Sequence, residues 1–229
     1  LLISRIVYHL PTARAADIGS VRQGLREYVD GLRYLWNHPQ ILAIAAQKGA
    51  FTLFVAGAFQ VIQVALAEEV FVIGEGGAIS LGLIYAVLGV GTGVGPIFSR
   101  MFTGDRGYAL RVGLVLAYPM AAIGMALIWT LRSFEVVLLG TLLRAVGGGI
   151  NWVYSNQLLL QLVPHRVRGR VFSTDFAFFT LTSAIGAAVG GWALDQPGFD
   201  VQDLMLVMAA LSMLPALLWG RWLRPEKPS

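Results

Sequence analysis

Residues 142–173 read LLRAVGGGINWVYSNQLLLQLVPHRVRGRVFS, and the fold is decided by that stretch. Its first part is apolar enough for a membrane helix, yet it carries Arg144, the run Gly147-Gly148-Gly149 and the amides Asn151, Asn156 and Gln157. A cation and several amides are costly in hydrocarbon unless they face protein or water. The helix must therefore line an interior. It stops at Pro164 and enters a short loop holding Arg166, Arg168 and Arg170, which marks the cytoplasmic side.

The whole chain agrees with a bilayer setting. Hydrophobic residues make up 56% and charged residues 13%, with a mean hydropathy of +0.68. Soluble domains usually carry about 25% charge. The net charge of +4 lies in short clusters between apolar spans, so it is no nucleic-acid footprint. Cysteine is absent, which excludes disulfides and thiolate metal sites. Enzyme signatures are missing too: GVGTGVGP at 89–96 lies inside a span with the wrong spacing for a dinucleotide loop. His9, His38 and His165 all fall in loops or interfaces. No catalytic residue, metal site or cofactor is expected.

A membrane span needs roughly 20 mostly apolar residues. Six stretches meet this, at about 41–67, 79–98, 112–131, 136–163, 173–194 and 204–223. The chain begins inside an apolar run, LLISRIV, so residues 1–8 read as the end of a preceding membrane helix. Residues 9–40 read as a cytoplasmic loop. Within it, apolar residues at 21, 25, 28, 29, 32, 35 and 36 give an amphipathic helix over 21–36 that should lie in the interface plane. Residues 41–223 form the six-helix bundle, and 224–229 a cytoplasmic tail. The segments before the first span and after the second, fourth and sixth hold fourteen basic residues, and the other three hold only Arg132. That imbalance puts both ends of this segment in the cytoplasm.

The spans sort by polarity. The third span, and the sixth over 204–220, contain no charge and include Pro119 and Pro215, where kinks are expected. The second and fifth are glycine-rich, with the small-xxx-small pairs Gly89/Gly93, Gly91/Gly95 and Gly186/Gly190 suited to close helix packing. The first and fourth carry the polar residues. One polar, one glycine-rich and one plain span thus occur twice, a 3+3 repeat of the kind secondary transporters use.

On the fourth span Arg144, Gly148, Asn151 and Ser155 fall within roughly a 60° arc, and on the first Lys48, Thr52, Gln60 and Gln63 within roughly 120°. Two such stripes can enclose a wet cavity. Each residue also has a plainer reading. Lys48 can snorkel to the headgroups, Arg144 can satisfy helix carbonyls, and the amides can bond between helices. Asp175 can cap the fifth span or pair with Arg168, Arg170 or Arg100, as a latch or as a fixed ion pair. Glu68 and Glu69 sit at an outer boundary where water solvates them.

The segment QLVPHRVRGRVFS, following a polar helix with RAVGGG, resembles the connection between the tenth and eleventh helices of the major facilitator superfamily. GLIYAVLGVGTGVGPIFSR is similar to its eighth helix, and LRYLWNHPQI to the approach to its seventh. The nearest likeness is to the branch with enterobactin-exporter-like and macrolide-efflux-like proteins. Two departures stand out. Gly95 is followed by Ser99-Arg100 where the family's loop motif has an acidic-basic pair, and Asp105-Arg106 supplies such a pair out of register. Arg144 with Gly148 resembles the R-x-x-x-G element of a proton-coupled antiporter's fourth helix, yet stands in the tenth.

The resemblance implies an all-α membrane protein, the carboxyl-terminal half of a twelve-helix transporter of the bacterial inner membrane. The first and fourth spans would be cavity helices seven and ten. Helices eight and eleven would pack on the missing amino-terminal half, and nine and twelve would be peripheral. The expected activity is proton-coupled efflux of a small amphipathic molecule, such as a drug or siderophore, by alternating access. Cavity candidates are Thr52, Gln60, Gln63, Asn151, Tyr154 and Ser155. Coupling or gating candidates are Lys48, Arg144, Asp175, Arg100, Arg168 and Arg170. The expected partners are the small-molecule substrate, membrane lipid and the amino-terminal half, with no nucleic acid. The competing reading is a self-contained six-helix channel or assembly subunit, whose glycine-rich helices would pair within a homodimer. An intramembrane enzyme is disfavoured by the histidine positions.

Overall fold

A computed structural model of the chain describes residues 21–223. The expectations for 1–8, 9–20 and 224–229 fall outside the described residues. Among the described residues there is no strand. Helix α1 is Val21–Asn37. Six longer helices follow: α2 Pro39–Val70, α3 Ala78–Thr103, α4 Gly107–Trp129, α5 Phe134–Leu162, α6 Arg168–Leu194 and α7 Val201–Gly220. At about 1.5 Å per residue even the shortest reaches about 30 Å, the thickness of a hydrocarbon core. All six are apolar and long enough to cross a membrane.

Most of the helices extend a few residues past the apolar stretches because backbone capping, not hydropathy, ends a helix. Ser133 begins α5 by accepting the Val136 amide at 3.4 Å. Asp200 and Asp203 close a reciprocal capping box at the start of α7. Gly104, at φ +55°, ends α3 in a conformation that suits glycine.

Helix α5 is the centre of the bundle, and its glycine run explains how. Successive helix residues point about 100° apart, so each of the three glycines meets a different neighbour. A Cβ on Gly147 would sit 2.7 Å from the Ala117 carbonyl of α4. One on Gly149 would sit 2.9 Å from Thr92 Cα of α3. Gly148 points between them, with Phe51 of α2 at 3.8 Å. Further along, Gly140 and Gly124 let α5 and α4 touch backbone to backbone. Tyr118 ties α4 to α2 by donating to the Gln47 carbonyl at 2.7 Å.

The two three-helix units interlock. Glycine-rich α3 packs on polar α5 of the other unit, with Gly91 and Gly95 against Ala145 and Val146. Glycine-rich α6 packs on polar α2, with Gly186 against Leu53, Gly57 and Ala58, and Gly190 against Ala58. These pairs pack within the chain. Gly89 and Gly93 are different, since a Cβ on either would meet nothing within 4 Å. In α3 and α6 only 22% and 17% of the most apolar window is buried, against 56% and 50% in α2 and α5. The bundle thus leaves α3 and α6 the most open of its helices, more so than α4 and α7. Pro119 and Pro215 lie inside α4 and α7.

Two features lay beyond sequence reading. Helix α2 changes to π-helical pitch at Thr52–Gly57 and again at Leu66–Val70, which alters the direction of its carbonyls. Helix α1 packs on α6, with Gly31 against the Arg170 carbonyl and Thr174. Leu35 is buried while Tyr28, Val29, Leu32 and Trp36 stay exposed, so α6 covers only part of the apolar face of α1.

Candidate functional site

Residues of α2, α3, α5 and α6 line an open-sided cavity of about 520 Å³, within the range of small-molecule sites. Thr52, Gln60 and Gln63 line it from α2, and Arg144, Gly148 and Asn151 from α5. The two polar stripes therefore share one space. Most of the remaining wall is aromatic: Phe51 and Phe59 of α2, Tyr85 of α3, Trp152 of α5 and Phe179 of α6. Trp152 meets Phe179 edge-on at 4.8 Å between ring centroids.

The polar residues hold the wall together and leave some atoms unused. Gln60 donates to Ser183 Oγ of α6 at 2.8 Å, and Gln63 donates to the Tyr85 hydroxyl of α3 at 3.0 Å. Thr52 returns its hydroxyl to the Lys48 carbonyl at 2.9 Å. Buried Asn151 Nδ2, Gln63 Oε1 and Arg144 Nε have no hydrogen-bond partner among the described residues. Arg144 lies with its Cζ 3.6 Å from the centroid of the Phe59 ring and donates to the Val55 carbonyl at 3.4 Å. Val55 belongs to the first π-helical stretch of α2, where the backbone ladder is out of its ordinary register.

Below the cavity lies a buried ion pair. Lys48 Nζ of α2 is 2.5 Å from Asp175 Oδ2 of α6 and 2.7 Å from Asn156 Oδ1 of α5, and both charged residues are 2% exposed. The same ammonium stands 4.4 Å from the centroid of the Trp152 ring, which lines the cavity above it. Lys48 thus does not snorkel to a surface. Asp175 does not pair with Arg168 or Arg170 of the preceding loop, nor with Arg100 at the α3–α4 turn.

Several expected residues lie elsewhere. Tyr154 does not line the cavity. Its hydroxyl meets Ser99 at 2.7 Å and Thr103 at 2.8 Å, which fastens α5 to α3 on the opposite side. At 100° per residue Tyr154 points about 120° away from the middle of the cavity face. Ser155 has the right angle but the wrong depth. It is fully buried one turn past Asn151, level with the Lys48–Asn156 contact, and donates to the Trp152 carbonyl.

The arginine candidates are peripheral to the cavity. Arg100 pairs with Asp105 at 2.6 Å across the α3–α4 turn, with both side chains about half exposed. Arg168 donates to the Leu160 and Val163 carbonyls and so closes the end of α5. Arg170 is exposed, as are Glu68 and Glu69.

The sequence reading missed the aromatic lining. Trp152 was detectable, because it follows Gly148 by four residues and Arg144 by eight on the same helix face. Tyr85 and Phe179 belong to helices with no polar stripe, and only their packing brings them to the site.

Comparison with known proteins agrees with this architecture. A stretch of 108 residues is 30% identical to the vacuolar membrane amino acid uptake transporter fnx2 of Schizosaccharomyces pombe. That match spans 45% of this chain and 19% of the fungal protein. No solved structure matches the chain. A family model described as Major Facilitator Superfamily matches residues 49–229, which leaves out residues 1–48, including α1 and the first turns of α2. Six apolar helices in two interlocked units, a polar cavity at their centre and a family match over most of the length have one consistent reading: the chain belongs to the major facilitator superfamily of membrane transporters.

Proposed function

We propose that the chain is the carboxyl-terminal six-helix half of a secondary active transporter that expels a small amphipathic organic molecule, a drug or a siderophore, in exchange for protons. The observation that carries this reading is the stacking of an aromatic-walled cavity directly on a buried ion pair between two helices. Alternating access needs a cargo site and a contact that breaks in one conformation. We assign that role to the buried Lys48–Asp175 pair, which joins α2 to α6. The arginine-rich connections set both ends of this segment in the cytoplasm, with α1 lying along the inner membrane face. The open faces of α3 and α6 are where the other six helices would dock. Efflux in a bacterial inner membrane rests on the likeness of the 161–173 loop to exporter-like proteins.

The test uses cells expressing the intact gene. Retention of a fluorescent drug, or of a siderophore, should fall on expression and rise again when a protonophore collapses the gradient. Asp175→Asn should raise retention to the level of cells without the gene. Efflux that ignores the protonophore removes the coupling. The fungal relative's name supports a second reading, in which the cargo is an amino acid. Counterflow of radiolabelled amino acids in vesicles separates the two.

A further inference from the structure

Arg144 is buried without an anion. It is 5% exposed, it lines the cavity, and its contacts are the Phe59 face at 3.6 Å and one long bond to the Val55 carbonyl at 3.4 Å. Among the described residues it has no carboxylate partner. Among the described residues no aspartate or glutamate lines the cavity. The one buried carboxylate nearby, Asp175, is already held by Lys48. The two charges below the floor cancel, and the cavity keeps the field of one guanidinium.

A guanidinium stays protonated, and placing it in a low-dielectric interior is unfavourable unless an anion or several acceptors meet it. Here the protein supplies a ring face and one carbonyl. Among the described residues nothing else meets it, which leaves room for an acceptor on the cargo. Asn151 adds a second donor, since its Nδ2 has no partner among the described residues. Arg144 and Asn151 sit seven residues apart on one face of α5, two turns, and both line the same wall. A guanidinium and an amide bordering one space suit the two oxygens of a carboxylate, which accepts from planar donors in pairs. Phe51, Trp152 and Phe179 present ring faces and edges to the same cavity, which suits a flat apolar body.

We infer that the cavity takes its cargo as an organic anion, a carboxylate carried on an aromatic or otherwise flat apolar body, with Arg144 and Asn151 holding the carboxylate. This rests on the transporter reading and narrows it to one charge class. A cationic drug is the cargo it excludes, because nothing on this wall offsets the guanidinium.

The experiment measures binding to the purified intact transporter in detergent with three matched probes: 1-naphthoate, the neutral 1-naphthamide, and the cationic 1-naphthylmethylamine. A charge-assisted pair favours the carboxylate by about tenfold or more over the amide. Arg144→Gln should abolish the preference for naphthoate over naphthamide, bringing the two affinities to within about twofold. Arg144→Lys, which keeps the charge, should retain part of the preference and guards against a folding defect in the first variant. Equal binding of naphthoate and naphthamide to the wild-type protein overturns the inference, as does a preference for the amine. Binding of none of the three overturns it as well. In each of these cases protonophore-sensitive drug retention in cells, measured in parallel, shows whether the transporter reading survives alone.

Discussion

Lys48 and Asp175 lie 127 residues apart in the chain, yet their side chains meet at 2.5 Å in the interior, where neither is more than 2% exposed. Removing one partner strands a charge in a dry setting, which costs about 3–5 kcal/mol. Lys48→Met and Asp175→Leu should each lower thermal stability in detergent sharply. The double variant should recover most of that loss, because both charges are then gone. Equal, additive losses in a double-mutant cycle would show that the pair is not coupled.

The glycines divide into two classes by what a methyl group would strike. Gly147→Ala pushes a Cβ to 2.7 Å from the Ala117 carbonyl, and Gly186→Ala to 2.9 Å from the Leu53 carbonyl. Both should destabilise the bundle by about 1–3 kcal/mol through forced separation of helices. Gly89→Ala meets nothing in this chain and should leave the isolated six-helix unit no less stable, since alanine favours helix by about 1 kcal/mol. In the intact transporter the same change should impair function if the other half docks on α3. Thermal melts of both forms check this.

How much of this was readable beforehand follows from what local pattern encodes. Six spans and the interior role of α5 were legible because hydropathy and a stray Arg144 are properties of one segment. The exchange of glycine-rich helices between the two units was not legible, because spacing says that Gly91 and Gly186 pack closely but not on what. For Asp175 the sequence offers a helix cap or a pair with Arg168, Arg170 or Arg100, whereas its partner is Lys48 of α2. Ser155 failed on depth alone: a helical wheel gives an angle, and the ion pair that closes the cavity floor sets the level. The π-helical stretches of α2 had no signal in residue type.

Tyr154 and Asn151 share a helix but should respond to mutation in opposite ways. Tyr154→Phe removes hydrogen bonds to Ser99 and Thr103 and should cost about 1 kcal/mol of stability with cargo affinity unchanged. Asn151→Leu removes a buried amide whose Nδ2 has no partner, so stability should hold or rise. Cargo affinity should instead fall about tenfold for the lost hydrogen bonds. Transport KM beside a melting curve separates the two effects.

The proposed orientation is open to direct labelling, because the chain contains no cysteine. Gly169→Cys and Pro197→Cys place single thiols at the two ends of α6, both at exposed positions. In intact cells a membrane-impermeant maleimide should label the second and not the first. The reverse result would turn the bundle over.

Trp152 occupies the boundary between cavity and ion pair, with its ring facing Lys48 at 4.4 Å and Phe179 at 4.8 Å. A cation over an indole gains about 0.5–2 kcal/mol, toward the upper end where water is excluded. Trp152→Leu should therefore weaken the hold on Lys48 as well as the cavity wall, and Trp152→Phe should keep most of both. The two effects separate in a Lys48→Met background, where no ammonium remains to lose. There Trp152→Leu should cost less stability than in the wild type by about that amount, while its effect on cargo binding persists. If the stability cost is the same in both backgrounds, the indole acts only as a wall, and cargo resting on it has no route through it to the ion pair.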